Sequence, residues 1–298
     1  MNKIDRFLIS LSSLEGKKVV VTGANSGLGL AIVKNCLFKG ASIVLACRNK
    51  ERANKCKEDL LKEYPNAQID IILYSQDNFS SCLQFVDYLF TYHKDFYALV
   101  LNAGVFNAKK GELNKEDLPV VSGTNAFGLA CICKALDERL TMVEDEKRII
   151  IQGSLGAYLT KYKNLKDSLL NPNKNHFKQY FNSKNVSHNL FYHYTNSNLN
   201  PNVKYLLAEP GIANSNIIRN YPKWFLPIAK FALRTVFQSS KEGALSTNYL
   251  ICEKVANGDY YKPKLFFSIR GLPKKSFIKE KYIHPQQIVD IYQLIAKK

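Results

Sequence analysis

The chain has 298 residues, 46% of them hydrophobic, and its 42 lysines and arginines against 25 acidic residues give a formal net charge of +17. This length fits one α/β domain with a full core, so we expect a single domain over residues 1–298. No apolar run approaches the roughly 18 residues of a membrane span and the N-terminus lacks a signal-peptide core, which disfavours membrane-spanning and secreted classes and predicts a cytoplasmic protein.

The positive charge is spread along the chain rather than concentrated in one basic block. A charge of this sign fits nucleic acid, an anionic membrane surface or an anionic cofactor. Because no nucleic-acid motif accompanies the lysines, we expect a solvated basic surface and no nucleic-acid partner. The seven cysteines include no C-x-x-C pair and the five histidines have no metal-ligand spacing, which predicts reduced thiols and no metal site.

The first predicted strand and helix are joined by the glycine-rich sequence TGANSGLG at residues 22–29. The β-branched run Val19–Val21 before it is typical of a strand buried on both faces, and apolar residues from Leu28 to Leu37 follow at helical spacing. Backbone N–H groups at a helix start can bind a phosphate where glycines leave the approach open, although a purely structural turn would look the same. No Lys-Ser or Lys-Thr pair follows, which excludes a P-loop.

Apolar and amphipathic segments alternate after this unit. The predicted strands are residues 41–47, 67–74, 96–104, 147–154 and 203–211, and the predicted helices are residues 49–64, 79–93, 124–140 and 176–196. This alternation predicts right-handed crossovers and a parallel sheet covered on both faces, with a long loop over residues 162–178. Small or polar residues follow each strand, so a ligand site is expected beyond the carboxyl ends.

A tyrosine and a lysine lie four residues apart on the helix predicted for residues 176–196. Tyr180 and Lys184 therefore share one face of that helix. A nearby cation favours the phenolate and makes tyrosine a usable proton donor or acceptor, whereas an isolated Y-x-x-x-K match is more often a core tyrosine beside a surface lysine.

Together and in this order, the motifs resemble those of the short-chain dehydrogenase/reductase family over nearly the whole chain. Residues 22–29 match T-G-x-x-x-G-x-G, and Asn102–Gly104 matches the N-A-G motif of the fourth strand. Tyr180, Ser183 and Lys184 match Y-x-x-S-K. The sequence CRN at residues 47–49 and the long interval before Tyr180 are most similar to the retinol-dehydrogenase-like branch.

The resemblance implies a single-domain Rossmann fold, with a doubly wound parallel sheet and helices on both faces, and an NAD(P)-dependent oxidoreductase acting on CH-OH groups. It implies that Ser154 hydrogen-bonds the substrate oxygen and that Tyr180 transfers the proton. Lys184 would bind the nicotinamide ribose and lower the pKa of the tyrosine, and Asn125 would order a water-linked proton path. The predicted cofactor-binding residues are Gly23, Asn25, Ser26, Gly27, Leu28, Gly29, Arg48, Asn49, Ser75, Asn102, Ala103, Gly104, Tyr180, Lys184, Pro210, Gly211, Ile212 and Ser215.

The residues at the end of the second predicted strand indicate which cofactor the chain prefers. NAD-binding proteins of this type commonly have an acidic residue there, but this chain has Cys47 followed by Arg48, whose guanidinium suits a 2′-phosphate. We therefore expect NADP(H) to be preferred, with NAD(H) as the alternative. Two positions depart from the family pattern: Ser75 replaces an aspartate near the adenine unless Asp77 takes that place, and Ser215 stands where threonine is common.

Residues 212–239 are predicted to form a substrate lid. Their apolar stretch Trp224–Phe237 favours a mobile lid over a hydrophobic pocket, with a membrane-touching amphipathic helix as the alternative. These features predict an oxidoreductase that interconverts an apolar alcohol and a carbonyl, with weak membrane-surface contact and homo-oligomerisation left open. The alternative function is a non-catalytic NADP(H)-binding redox sensor.

Overall fold

The computed structural model describes residues 1–106, 108–211, 239–265 and 268–298, and it contains one mixed sheet within these ranges. The eight strands are β1 Lys18–Thr22, β2 Ser42–Cys47, β3 Ile69–Leu73, β4 Phe96–Leu101, β5 Lys147–Gln152, β6 Val203–Ala208, β7 Tyr260–Leu265 and β8 Arg270–Ser276. Their order is β3-β2-β1-β4-β5-β6-β7-β8. All neighbouring strands are parallel except β7 and β8, which are antiparallel.

Helices cover both faces of the sheet. The α-helices of the described residues are α1 Lys3–Ser10, α2 Gly27–Phe38, α3 Lys50–Glu63, α4 Phe79–Tyr92, α5 Val120–Ser122, α6 Leu129–Leu140, α7 His176–Ser197, α8 Ser240–Gly243, α9 Leu245–Cys252 and α10 Pro285–Ile295. Shorter turns are the π-helical segments Gly123–Gly128 and Lys166–Leu170 and the 3₁₀ segments Leu155–Leu159 and Glu280–Tyr282.

The alternation of side chains along the strands divides the core into two layers. Val20 packs with residues of α4, α6, α7 and α10 on one face, whereas Val19 and Val21 pack with residues of α1, α2, α3 and α9 on the other. Five successive residues of β1 and β2 are paired in register, from Lys18 with Ser42 to Thr22 with Ala46. The predicted doubly wound Rossmann fold is confirmed.

Several element boundaries differ from the sequence-based expectation. The helix expected at residues 124–140 begins at Val120 and passes through the π-helical segment Gly123–Gly128. The expected loop over residues 162–178 contains the segment Lys166–Leu170 and the first turn of α7. Strands β7 and β8 were not predicted, because Pro263 and Pro273, which face each other, are rare in strand interiors and tolerated near a sheet edge.

The strand order reverses between β1 and β4, and one hydroxyl joins the loops that follow these strands. Thr22 Oγ1 accepts hydrogen bonds from the backbone N–H groups of Asn102 (2.8 Å) and Ala103 (2.9 Å), and it donates to the carbonyl of Val100 (3.1 Å). Asn102 Nδ2 donates to the Thr22 carbonyl at 2.8 Å. A ligand crevice is expected at such a reversal, so these bonds set the shape of its floor.

Replacing Thr22 by valine keeps the shape of the side chain and removes its hydroxyl. We expect Thr22→Val to lower the free energy of unfolding by about 1 to 3 kcal/mol, because two backbone N–H groups lose their acceptor. Urea titration measures this loss. Thr91→Val is the control, since the exposed Thr91 hydroxyl donates only to a carbonyl within α4, and its effect should stay within about 0.5 kcal/mol. Equal losses in both variants would contradict the role of Thr22.

Candidate functional site

The three glycines of the TGANSGLG sequence meet different structural requirements. Gly23 and Gly27 have positive φ angles of +64° and +53°, which favour glycine. A Cβ on Gly29 would lie 2.3 Å from the Gly23 carbonyl oxygen, so α2 packs directly on the turn. A Cβ on Gly27 would meet nothing within 4 Å. The approach to the start of α2 is therefore open.

The N-terminus of α2 suits an anionic group. Ser26 is the N-cap residue, and its side chain makes no capping hydrogen bond to the helix. The first N–H groups of an α-helix lack partners within that helix and lie at its positive end. Asn25, Ser26 and Leu28 belong to this turn, as predicted for the pyrophosphate portion of a dinucleotide, and the residues present fit that group.

The loop after β4 connects the glycine turn to the catalytic candidates. A Cβ on Gly104 would lie 3.0 Å from Asn125 Oδ1 and 3.8 Å from Lys184 Nζ. Asn125 accepts a hydrogen bond from the Val105 N–H (2.8 Å) and donates Nδ2–H to the Val105 carbonyl (2.7 Å) and to Ser183 Oγ (3.1 Å). The structure thus brings Gly104, Asn125 and Lys184 together.

Asn125 lies in a π-helical segment rather than in the regular helix predicted there. Such segments are rare and often occur at functional sites. The side chain is 2% exposed, and its bonds hold the loop after β4 against α7. The wider helical turn therefore positions a buried amide between two parts of the site.

Ser154 and Tyr180 are adjacent at the carboxyl end of β5. Ser154 caps the following 3₁₀ segment by accepting the Gly156 N–H at 3.2 Å. Burial raises the pKa of Tyr180 above the ordinary phenol value, and a hydrogen bond with Ser154 opposes this shift in part. The Tyr180 ring also packs edge-on against Phe106, with ring centres 4.9 Å apart.

Lys184 is only 8% exposed, and its Nζ donates to the Gln152 carbonyl at 3.2 Å. Nζ lies 6.0 Å from the centre of the Tyr180 ring. Burial lowers the pKa of Lys184 to about 8. Burial is the largest cause of the pKa shift at both residues, and a lowering of the Tyr180 pKa by Lys184 stays a prediction.

The residues predicted near the adenosine form a second cluster. Arg48 is largely exposed, and its Nη1 lies 3.5 Å from Asp77 Oδ2. Asp77 Oδ1 accepts the Ser75 hydroxyl at 2.6 Å, so the two alternatives for the adenine contact lie side by side. Arg48 and Asp77 line a cavity of about 480 Å³ together with Lys115. Asn49 Oδ1 caps α3 by accepting the Arg52 N–H at 2.8 Å.

The P-G segment is described only at its start. Pro210 and Gly211 follow the buried Glu209, and Gly211 has a φ of +66°. Ile212, Ser215 and the apolar stretch Trp224–Phe237 lie outside the described residues, as does the predicted lid up to its last residue.

Two buried polar residues that join parts of the site were missed as functional candidates. The Thr22 hydroxyl was not singled out, although its place in the glycine motif was a signal. Gln76 is 5% exposed, and its Nε2 donates to the carbonyls of Ala103 (3.2 Å) and Thr124 (2.8 Å). Its position in the polar sequence after β3 was the available signal.

Each helix in the ranges that the structure describes is too short or too polar to span a bilayer. The same ranges contain no group of three or more histidine, cysteine or acidic side chains arranged to hold a metal ion. All seven cysteines are free and buried.

Known proteins resemble the chain over most of its length. The family model described as short chain dehydrogenase matches residues 17–163. The WW domain-containing oxidoreductase of Gallus gallus is 28% identical over 248 residues, which cover 79% of this chain and 58% of that one. Retinol dehydrogenase 14 of Mus musculus is 24% identical over 259 residues, 82% of this chain and 76% of that one. The chain therefore spans little more than half of the first of these relatives.

Solved structures share the fold. A putative uncharacterized protein from Mycobacterium Paratuberculosis has a TM-score of 0.73 at 20% identity, with 97% of this chain and 96% of that chain covered. A short chain dehydrogenase from Burkholderia cenocepacia J2315 in complex with NADP has a TM-score of 0.63 at 18% identity, covering 83% and 96%. At these identities the likeness concerns the fold alone.

The lowered pKa of Lys184 predicts how stability depends on pH. Below about pH 8 the folded protein bears the full cost of burying a cation, and the cost fades between about pH 8 and pH 10.5 because only the unfolded lysine stays protonated there. We expect the free energy of unfolding of the wild type to rise relative to Lys184→Met by about 3 kcal/mol over this interval.

Urea titrations at several pH values in this range measure the difference between the two proteins. Titration of the tyrosines affects both proteins and cancels in the comparison. The control is Lys55→Met, which removes an exposed lysine of α3 and should give a nearly constant difference. Wild-type and Lys184→Met curves that remain parallel would show that Lys184 keeps its proton in the folded state.

Proposed function

Because the chain belongs to the short-chain dehydrogenase/reductase family and is similar to its retinol-dehydrogenase-like members, we propose that it is an NADP(H)-dependent oxidoreductase that interconverts an alcohol and a carbonyl. The observation that carries this proposal is the meeting of Ser154, Tyr180, Lys184 and Asn125 at the carboxyl ends of β4 and β5, beside the open start of α2. The proposed setting is the cytoplasm, which the seven free thiols support.

In this proposal, Tyr180 is the proton donor for carbonyl reduction and the acceptor in the reverse reaction. When bound, NADP(H) supplies or accepts the hydride at the carbonyl carbon. Because burial raises the pKa of Tyr180, the phenol holds its proton at neutral pH and can deliver it to the substrate oxygen. Ser154 donates a hydrogen bond to that oxygen, and the Tyr180 hydroxyl already lies within hydrogen-bond reach of Ser154.

Lys184 supplies a cation next to the reacting groups. With a pKa of about 8, the ammonium is still mostly charged at pH 7. Its N–H groups can bind the ribose of the nicotinamide while one donates to the Gln152 carbonyl. Asn125 fixes the loop beneath it, so the cation keeps its place when a ligand arrives.

The substrate is proposed to be apolar. Aromatic rings surround the Tyr180 phenol: the Phe106 ring centre lies 4.9 Å from that of Tyr180 and 5.3 Å from that of Phe177. The Phe177 side chain is exposed, which leaves an apolar surface beside the reacting hydroxyl. Such a surface favours a hydrophobic alcohol or carbonyl compound. The predicted lid over residues 212–239 would add to it, and homo-oligomerisation and weak membrane contact stay predictions.

The test of the reaction is Tyr180→Phe, which removes one hydroxyl and keeps the ring. We expect turnover of aldehydes and ketones to fall ~100- to 10,000-fold, because the substrate oxygen loses its proton donor. NADPH oxidation is followed by absorbance, and NADPH affinity by fluorescence should change little. Tyr192→Phe, a half-exposed tyrosine on the same helix, is the control and should retain full turnover. A wild type that binds NADPH but reduces no member of the panel would favour the redox-sensor alternative.

The cofactor preference is proposed to depend on Arg48. The guanidinium is exposed beside the adenosine cluster, and its contact with Asp77 is long enough for a phosphate to compete with it. We expect Arg48→Ala to raise the Michaelis constant for NADPH by ~10-fold or more, since a charged hydrogen bond is worth about 1.5 to 3 kcal/mol, with little change for NADH.

Parallel kinetics with NADPH and NADH decide this prediction. Arg139→Ala is a matched control, because Arg139 is likewise an exposed arginine paired with an aspartate, Asp87, but on α6 and α4. It should leave both Michaelis constants unchanged. A wild type that prefers NADH, or a variant that weakens both cofactors equally, would refute the role of Arg48.

A further inference from the structure

A histidine and a glutamate form a fully buried ionisable pair behind the candidate site. His188 Nε2 lies 3.1 Å from Glu209 Oε1, and both side chains are 0% exposed. His188 lies one helical turn after Lys184 on α7, and Glu209 lies between β6 and Pro210. Among the described residues, no hydrogen bond of good geometry reaches the polar atoms of this pair, although the Tyr158 and Tyr260 hydroxyls lie close enough to interact with Glu209. Burying such groups is costly, so their place next to the site requires a reason.

His188 limits how closely the backbone next to Ser154 can approach α7. A Cβ on Gly153 would lie 2.7 Å from His188 Nε2, so the imidazole touches the backbone of the residue before Ser154. The Gly153 N–H donates to the Ala208 carbonyl at 2.8 Å, which joins this point to the residue before Glu209. The carboxyl ends of β5 and β6 therefore both lie against the His188–Glu209 pair.

Two tyrosines, Tyr158 and Tyr260, connect Glu209 to the segment that follows Ser154 in the chain. Tyr158 lies in the 3₁₀ segment that Ser154 caps, and its hydroxyl is 3.1 Å from that of Tyr260 on β7. The Tyr158 ring packs edge-on against His188, with centres 5.0 Å apart. Burial first and the Glu209 carboxylate second raise the pKa of both phenols, and Lys262 Nζ lies 5.7 Å from the centre of each ring.

We propose that His188 and Glu209 are positioning residues that set the separation between Ser154 and the Tyr180–Lys184 face of α7. The pair contacts the backbone of the residue before Ser154. The tyrosines that the pair holds in place contact the segment after Ser154. A displacement of 1 Å in a catalytic group can cost ~100-fold in rate, so a rigid buried pair at this junction has a kinetic consequence. That consequence rests on the proposed function, whereas the ordering of the segment does not.

The kinetic test compares Glu209→Gln, His188→Asn and the double variant. We expect kcat to fall ~10- to 100-fold in each single variant while the Michaelis constant for NADPH stays within ~3-fold. Because the two residues act as one unit, the double variant should be no slower than the slower single variant. Losses that multiply in the double variant would overturn the proposal.

A matched control separates positioning from a general loss of stability. Glu146 forms ion pairs with Arg148 at 2.7 Å and Lys204 at 2.8 Å, but at the opposite end of the strands, where β5 and β6 begin. Glu146→Gln should keep kcat within ~2-fold at temperatures below its unfolding transition. An equal fall in kcat for Glu146→Gln and Glu209→Gln would show that the effect is only structural.

Hydrogen exchange gives a readout that does not depend on turnover. Without cofactor or substrate, we expect the amides of residues 153–159 to exchange at least ~10-fold faster in Glu209→Gln and at the wild-type rate in Glu146→Gln. Unchanged exchange in Glu209→Gln would overturn the proposal. If the wild type reduces no carbonyl compound, the proposed function fails while the exchange result still decides the positioning role.

A second pair of variants, with smaller changes, keeps the test decisive if the buried His188–Glu209 pair is essential for folding. Tyr158→Phe and Tyr260→Phe remove only the hydroxyls beside Glu209 and should speed exchange at residues 153–159 ~3-fold or more. Tyr194→Phe is the control, since this buried α7 tyrosine bonds Tyr292 at the far end of the helix. Equal exchange in all three tyrosine variants would refute the proposed coupling.

Discussion

The hydroxyl of Thr22 is the contact on which the rest of the site depends. It joins the loops that follow β1 and β4, the two strands between which the sheet order reverses. Parallel strands leave a crevice at such a reversal, and its width is set by whatever ties the two loops together. Because Asn102 also binds the Thr22 carbonyl, the glycine turn and the N-A-G loop form one rigid unit. The start of α2, the buried amide of Asn125 and the Lys184 ammonium are all placed relative to that unit.

Burial is the largest cause of the pKa shifts of Tyr180 and Lys184. The phenol is made less acidic and the ammonium more acidic by the same removal from water. A bound ligand that brings negative charge into this small space raises the pKa of both groups, so it disfavours the phenolate and favours the ammonium. The protonation states of the site are therefore sensitive to what occupies it.

The sequence was informative wherever a physical requirement has a local pattern. Apolar runs identified six of the eight strands, and the four-residue spacing of Tyr180 and Lys184 placed both on one face of α7. Strand β8 has no such pattern, because an edge strand with Pro273 and two lysines needs neither alternation nor a complete set of backbone donors. The net direction of the Tyr180 pKa shift could not be read from the sequence, because the extent of burial is a property of the folded chain. The contact of His188 with Glu209 joins residues 21 positions apart on different elements, so no spacing rule could reveal it.

The two outer strands of the sheet carry charged side chains that point to solvent. Strand β8 has exposed Lys274 and Lys275, the second paired with Asp259 at 2.5 Å, and β3 has an exposed Asp70. An outer strand has unpaired backbone groups that can bind an extended segment of another molecule. A charged side chain on that strand makes such pairing unfavourable. The charged side chains of β8 and β3 therefore disfavour the addition of a strand from another molecule at either border of the sheet.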